Sequence, residues 1–327
     1  KHNLISKYEA LYNIHFPQNQ LLLSKAQFRL KYEELFFIQL QFVLKNSINK
    51  NKFKGFNFSK VGSSFNNFYK NNLDFELTNA QKNVIRDIRK DFSTNAQMNR
   101  LLQGDVGSGK TIVALLSCLI AIDNNYQTTI IAPTEILAQQ HYNSIKNSLV
   151  DLSLNVKILT GSTSKKERID LFDDIKNGNV NILIGTHAVL EDKVAFKNLG
   201  LAIIDEQHRF GVAQRSKLWK KNKIPPHILV MTATPIPRTL AMSVYGDLDI
   251  SVIDELPPGR KPMTTVHRTD KNSLQVFKFI KDEVLKERQI YIVYPLIEES
   301  RTMDYKDLID GYESIEREFP KDQYQIS

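Results

Sequence analysis

Three features of the sequence predict an α/β fold built on a parallel sheet. From Leu77 onward, short apolar runs alternate with stretches of helical length. Runs such as Thr129-Ile130-Ile131-Ala132 and Ile182-Leu183-Ile184 are continuous and apolar, as strands covered on both faces require. One strand, around Leu101-Leu102, leads into Gly104-Asp105-Val106-Gly107-Ser108-Gly109-Lys110-Thr111 and then an apolar helix, and another, Leu201 to Ile204, ends in the carboxylates Asp205 and Glu206. Alternation of this kind implies right-handed crossovers, with ligands gathered at the carboxyl ends of the strands.

The composition fits that class. A chain of 327 residues with 42% hydrophobic and 24% charged residues has room for two or three domains and a sizeable core, in a soluble globular protein. A net charge of +8 favours a polyanionic partner. The excess is concentrated at the front, where residues 1–76 hold 11 Lys/Arg against 5 Asp/Glu. The single cysteine, Cys118, excludes a disulfide framework and a thiolate metal site, points to a reducing cytosol, and reads as plain core. The run Ile112 to Ile122 is too short to span a bilayer, so no membrane association is expected.

Taken in order, residues 1–20 offer no element. Ser24 and Gln27 make a capping box, which predicts a long helix to about Ser47. Phe28, Tyr32 and Leu35 line one side of its first half, with Lys25, Arg29 and Glu33 elsewhere. Eight of the ten residues from Leu35 to Leu44 are apolar, so both faces should be covered, as in a helix clamped between domains. Residues 45–72 interleave Lys45, Lys50, Lys52, Lys54 and Lys60 with Phe53, Phe56, Phe58 and Phe65. That pattern suits a nucleic-acid track and equally a solvated linker whose aromatics pack on a neighbour. Strands are then predicted near 99–103, 128–132, 155–159, 180–184, 201–204 and 227–231, and helices near 110–123, 135–148, 165–176 and 237–244. Asp254 to Lys261, with two prolines and a glycine among charges, reads as a hinge. A second alternation follows: strand 263–267, helix 271–286, strand 289–294. It is too short to close another sheet of the first one's size. The expected domains are therefore 1–72, 73–258 and 259–327.

The chemistry lies at the strand ends. Gly104 to Thr111 is G-x-x-x-x-G-K-[ST] between a strand and a helix. Its glycines let successive N–H groups point at phosphate oxygens, and the helix start adds a positive dipole end. Lys110 is expected to reach the β/γ-phosphates of a nucleoside triphosphate and the Thr111 hydroxyl to hold Mg²⁺. A pair of acids after an apolar strand suits the same ligand, with Asp205 holding Mg²⁺ through water and Glu206 polarising the attacking water.

Asp205-Glu206-Gln207-His208 resembles the D-E-x-H motif of the second helicase superfamily, and further motifs agree in order and spacing. Phe75 and Leu77-Thr78 with Gln81 resemble the element that reads adenine, Phe75 by stacking and Gln81 by bonding the base edge. Pro133-Thr134, Gly161-Ser162 and Gly185-Thr186 resemble DNA-contacting segments. Met231 to Leu240 resembles the motif coupling hydrolysis to lobe movement, with Thr232 and Thr234 in it and His208 as its link to the carboxylates. His187 has no assigned role, and a structural histidine is an equal reading. GDVGSGKT, DEQHRFGVAQR, TATPIPRTLAM, DELPPGRKP and PLIEES together resemble the RecG family of bacterial branch-migration and fork-regression helicases. Residues 26–40 resemble that family's helix between wedge domain and motor.

The resemblance implies a RecA-like lobe preceded by a helical linker and followed by the start of a second such lobe. It implies ATP and Mg²⁺ as cofactors, branched or forked DNA as partner, and a monomer in the bacterial cytoplasm, associated with the nucleoid. Alternatives are the translocase of transcription-coupled repair, which shares GDVG-x-GKT and TATPIPRTL, and a non-motor nucleotide-binding switch. The chain reads as a fragment, without most of the wedge and without the motifs that would supply an arginine finger. On its own it is expected to hydrolyse ATP only at a basal rate.

Overall fold

The computed structural model describes residues 3–52, 54–206, 217–219, 221–222, 224–234, 248–255, 257, 263–269, 272–294, 308–321 and 323–326. It divides into two compact units, Lys1–Arg260 and Lys261–Ser327. The first is organised by a seven-stranded parallel sheet in the order β3-β4-β2-β5-β6-β1-β7. The strands are β1 Asn99–Gly104, β2 Gln127–Ile131, β3 Val156–Leu159, β4 Ile182–Gly185, β5 Leu199–Asp205, β6 His227–Thr232 and β7 Asp249–Ile253.

Alternate residues of one strand feed opposite faces, as the period of two requires. Ile203 joins a core with Leu102, Ile130 and Leu229, whereas Ala202 and Ile204 join another with Leu101, Ile131 and Val230. Covering both faces is what made the central strands continuously apolar. Strand β7 has no counterpart among the sequence expectations. It is an edge strand paired to β1 alone and carries Asp249 and Ser251, so it lacks the apolar run of its neighbours.

The predicted helices 110–123 and 135–148 form with those bounds, as α5 (Lys110–Asp123) and α6 (Glu135–Ser148), and α7 runs Lys165–Asn177. Helix α4 (Asn79–Phe92) starts at a capping box in which Thr78 and Gln81 serve each other's orphan groups. The expected helix 237–244 lies outside the described residues.

The front of the chain departs from expectation. Helix α1 (Lys7–His15) forms where no element was predicted, started by a capping box of Ser6 and Glu9. Helix α2 (Gln20–Lys52) begins before Ser24, because the Asn19 side chain accepts from Leu22 N–H. Ser24 instead donates back to the Gln20 carbonyl from inside the helix. Helix α1 packs against α2, with Lys7 bonded to Glu33 at 2.6 Å. The expected cover over residues 35–44 is not present: Leu35 is 64% exposed and Phe37 50%.

Of the stretch 45–72, aromatics within residues 54–72 pack on the sheet domain, as the linker alternative expects. Phe58 and Phe68 are buried in the core, and the Phe58 ring packs against Phe92, Tyr126 and His227. Asp123, at the end of α5, accepts from the N–H groups of Gly62, Ser64 and Phe65, which pins the short helix α3 (Ser63–Asn67) and the π-turn Phe68–Asn72 that follows.

In the second unit, helix α8 (Ser273–Val284) forms within the predicted 271–286, and α9 spans Leu308–Glu318. The expected strands 263–267 and 289–294 do not form, and Tyr291 and Val293 are both 87% exposed. A strand needs a neighbour to satisfy its backbone groups, and the apolar alternation of these segments supplies none. Among the described residues, no helix is long and apolar enough to cross a membrane.

Candidate functional site

Every candidate segment described sits at the carboxyl edge of the sheet, and the strand order sorts them into two halves. Strands β5, β6 and β1 are consecutive and carry Asp205-Glu206, Thr232 to Thr234, and the loop from Gly104 to Thr111. Strands β3, β4 and β2 are also consecutive and carry Gly161-Ser162, Gly185-Thr186 and Pro133-Thr134.

In the first half, the 104–111 loop leaves β1 and closes into α5. Gly107 (φ +75°) and Gly109 (φ +88°) adopt left-handed backbone, and a Cβ at Gly109 would lie 2.2 Å from the Gln81 amide nitrogen. That nitrogen donates to the Ser108 carbonyl at 2.8 Å, while Gln81 Oε1 accepts from Thr78 N–H at 2.9 Å. Gln81, only 1% exposed, thus ties the segment from Phe75 to the loop, and part of its amide capacity is already engaged. Phe75 is 53% exposed and lines a cavity of about 440 Å³ with Tyr69, Leu73, Asp74, Glu76, Leu77 and Lys82.

Lys110 Nζ donates to the carbonyls of Gly104 (2.8 Å) and Asp105 (3.0 Å), holding the loop curled. Partial burial lowers its pKa, against the raising influence of the Glu206, Asp205 and Asp105 carboxylates. Thr111 follows as the second residue of α5, and Val106 is exposed at the loop's crest. Ser108 Oγ is buried with no hydrogen-bond partner among the described residues.

Asp205 ends β5, and Glu206 follows at φ +53°, a left-handed conformation that costs a non-glycine residue of order 1–3 kcal/mol and clusters at functional sites. Glu206 N–H donates to the Met231 carbonyl, and Glu206 Oε1 accepts from Ala233 N–H at 3.1 Å. The acid therefore reaches the 232–234 segment directly, a link expected of His208, which lies outside the described residues. Thr232 Oγ1 accepts from Thr234 N–H at 3.1 Å and tightens the same turn.

The donors suit a magnesium–nucleotide complex. Mg²⁺ keeps several waters and takes one or two carboxylates with substrate phosphates. Asp205 and Thr111 share one edge with the 104–111 loop.

In the second half the segments are short turns. Thr134 is the N-cap of α6 and accepts from Leu137 N–H. Gly185 admits no side chain, since its Cβ would lie 2.1 Å from the Leu159 carbonyl oxygen. Thr186 is buried, and its Oγ1 has no partner among the described residues; His187 beside it is exposed. The Ser162 N–H donates to Glu135 Oε1 at 3.2 Å, joining two of the segments.

Two residues escaped the sequence reading. Arg168 on α7 donates to the carbonyls of Thr160 (2.8 Å) and Thr163 (3.1 Å) and so braces the turn holding Gly161-Ser162. His141 on α6 bonds Asp205. A signal for His141 existed: it follows Thr134 by seven residues, hence on the same helix face.

A model for the DEAD/DEAH box helicase family matches residues 78–243. The chain is 49% identical over 294 residues to the ATP-dependent DNA helicase RecG of Aquifex aeolicus, covering 89% of this chain and 37% of that one. Against RecG of Thermotoga maritima it is 45% identical over 324 residues, covering 98% and 41%. A structure of RecG bound to a three-way DNA junction matches with a TM-score of 0.79 at 42% identity, over 97% of this chain and 41% of that one. The chain thus spans well under half the length of these relatives. By the family model that matches half of its residues, the chain belongs to the DEAD/DEAH box helicase family, and the relatives it resembles there are RecG helicases.

Proposed function

We propose that this chain is the motor segment of an ATP-dependent DNA helicase that acts on branched or forked DNA, in recombination and repair. The observation that supports the reading is the strand order, which puts the candidate nucleotide segments on three consecutive strands and the candidate DNA segments on three others. Helicases of this family use ATP with Mg²⁺. When bound, Mg²⁺ neutralises charge on the transferring phosphoryl group. Lys110 grips the β/γ-phosphates together with the N–H groups of Gly104 to Gly109, and Thr111 and Asp205 hold the metal. Glu206 orients the attacking water from a carboxylate fixed at Ala233. Phe75 offers a face to the base.

In the other half, N–H groups and hydroxyls at Pro133-Thr134, Gly161-Ser162 and Gly185-Thr186 meet phosphates without reading bases, as a sequence-independent motor needs. Thr232 and Thr234 carry the state of Glu206 onward. In this reading residues 73–258 are the nucleotide-binding lobe, 1–72 the linker from a preceding domain, and 259–327 the start of a second lobe. The protein works in the bacterial cytoplasm, associated with the nucleoid, as a monomer.

Phosphate release by the full-length protein, with and without forked DNA, tests the proposal. Turnover that rises on forked DNA supports a motor. Turnover indifferent to DNA identifies a nucleotide-binding switch.

A further inference from the structure

The two halves of the edge meet between β2 and β5, and a side-chain hydrogen bond crosses that border. His141 Nε2 lies 2.8 Å from Asp205 Oδ2, and the two side chains are only 13% and 12% exposed. An ionised carboxylate can only accept, so the imidazole Nε2–H donates. His141 stands on α6, the helix whose N-cap is Thr134. Seven residues turn an α-helix through about 700°, some 20° short of two full turns, so Thr134 and His141 share a face.

We propose that His141 is a positioning residue for Asp205, fixing that carboxylate from the helix that begins at the candidate DNA contact. The proposal rests on the reading of Asp205 as a metal-holding acid. The strand sets only the Cα of Asp205, and its side chain is free to rotate about χ1 and χ2. The Asp205 and Glu206 carboxylates raise the pKa of Lys110, which partial burial lowers. The His141 bond engages Oδ2 and leaves Oδ1 uncommitted to it. Hydrogen bonds of this kind to a ligating carboxylate orient it and tune its affinity. His141 is hydrogen-bonded to Asp205 with both side chains nearly buried, so it supplies an orientation that the strand alone does not.

The test uses the full-length protein and a fluorescent non-hydrolysable ATP analogue. It measures the Mg²⁺ concentration that gives half-maximal binding, and separately the affinity for the analogue in EDTA. His141→Ala is expected to raise the Mg²⁺ requirement about tenfold while leaving metal-free affinity within about twofold. His141→Gln, which keeps a donor at similar reach, is expected to recover to within about threefold of wild type. Asp205→Asn calibrates the assay by raising the requirement at least as much as His141→Ala. A wild-type Mg²⁺ requirement in His141→Ala, alongside a shifted Asp205→Asn, overturns the positioning role. Equal losses in His141→Ala and His141→Gln, or a parallel loss of metal-free affinity, overturn it in favour of simple packing. An unshifted Asp205→Asn overturns the metal-holding reading itself, and the role of His141 with it.

Discussion

The two halves of the sheet edge are built differently. In the nucleotide half, side chains lock the backbone from several directions: Gln81 holds Ser108, Lys110 holds Gly104 and Asp105, and Glu206 reaches Ala233. It also contains Glu206 in left-handed backbone. In the half proposed for DNA, the candidate groups are N–H groups and hydroxyls on turns that directly follow strands, steadied by Arg168 and Glu135 from outside. The difference follows from the tasks. Phosphoryl transfer needs groups held in advance where charge develops. Gripping a phosphate backbone of any sequence needs only regularly spaced donors.

The sharpest break of the comparison is Glu206→Gln. It keeps size and the Ala233 bond but loses the carboxylate charge. In the full-length protein, turnover should fall by about 10²–10⁴, as for loss of a general base. Affinity for ATP and for forked DNA should stay near wild type. Quenched-flow phosphate release with parallel binding assays checks this.

A control comes from the opposite edge of the sheet, where neither half works. His227, at the start of β6, is fully buried, accepts from Met98 N–H at Nδ1 and donates from Nε2 to the Phe56 carbonyl. Burial pushes its pKa down to about 4, partly opposed by the Phe56 bond. Between about pH 6.5 and 4 the unfolded chain binds a proton that the folded one refuses. Stability from this group is therefore complete above pH 6.5 and falls by up to about 3 kcal/mol as pH drops toward 4. Urea titrations across that window should show the decline, and His227→Gln should flatten it.

A smaller effect separates base recognition from phosphate binding. Gln81→Ala removes the tie to Ser108, worth about 1 kcal/mol, and any contact with the base edge. ATP affinity should fall several-fold, and a preference for ATP over GTP should shrink with it. Competition binding with the two nucleotides measures both.

How much of this was legible in the sequence depended on locality. The loop 104–111 and helices α5 and α6 were readable because each signal lies within a few residues: glycines at fixed offsets, an apolar run, an N-cap at Thr134. Capping also set the start of α2, but Asn19 and Ser24 are both good caps, and only the backbone chooses between them. Strand β7 was missed because an edge strand has no need of two apolar faces. The burial expected for Leu35 to Leu44 came from composition, which says that a surface seeks cover without saying what covers it. The contacts of His141 and Arg168 were not legible for another reason. Their partners lie 64 and 8 residues away in sequence, through a fold that local pattern does not specify.

The central claim, that nucleotide and DNA are served by separate halves of one edge, is tested most directly by a crossed pair of variants. Lys110→Ala and Arg168→Ala in the full-length protein are each assayed for Mg²⁺-ATP affinity and for forked-DNA affinity without nucleotide. Lys110→Ala should lose a charge-assisted contact worth about 1.5–3 kcal/mol, roughly 10- to 150-fold in ATP affinity, and keep its grip on DNA. Arg168→Ala should loosen the turn carrying Gly161-Ser162, weaken DNA binding several-fold and leave ATP affinity unchanged. If both variants lose both affinities in proportion, the edge is one undivided site and the account is wrong.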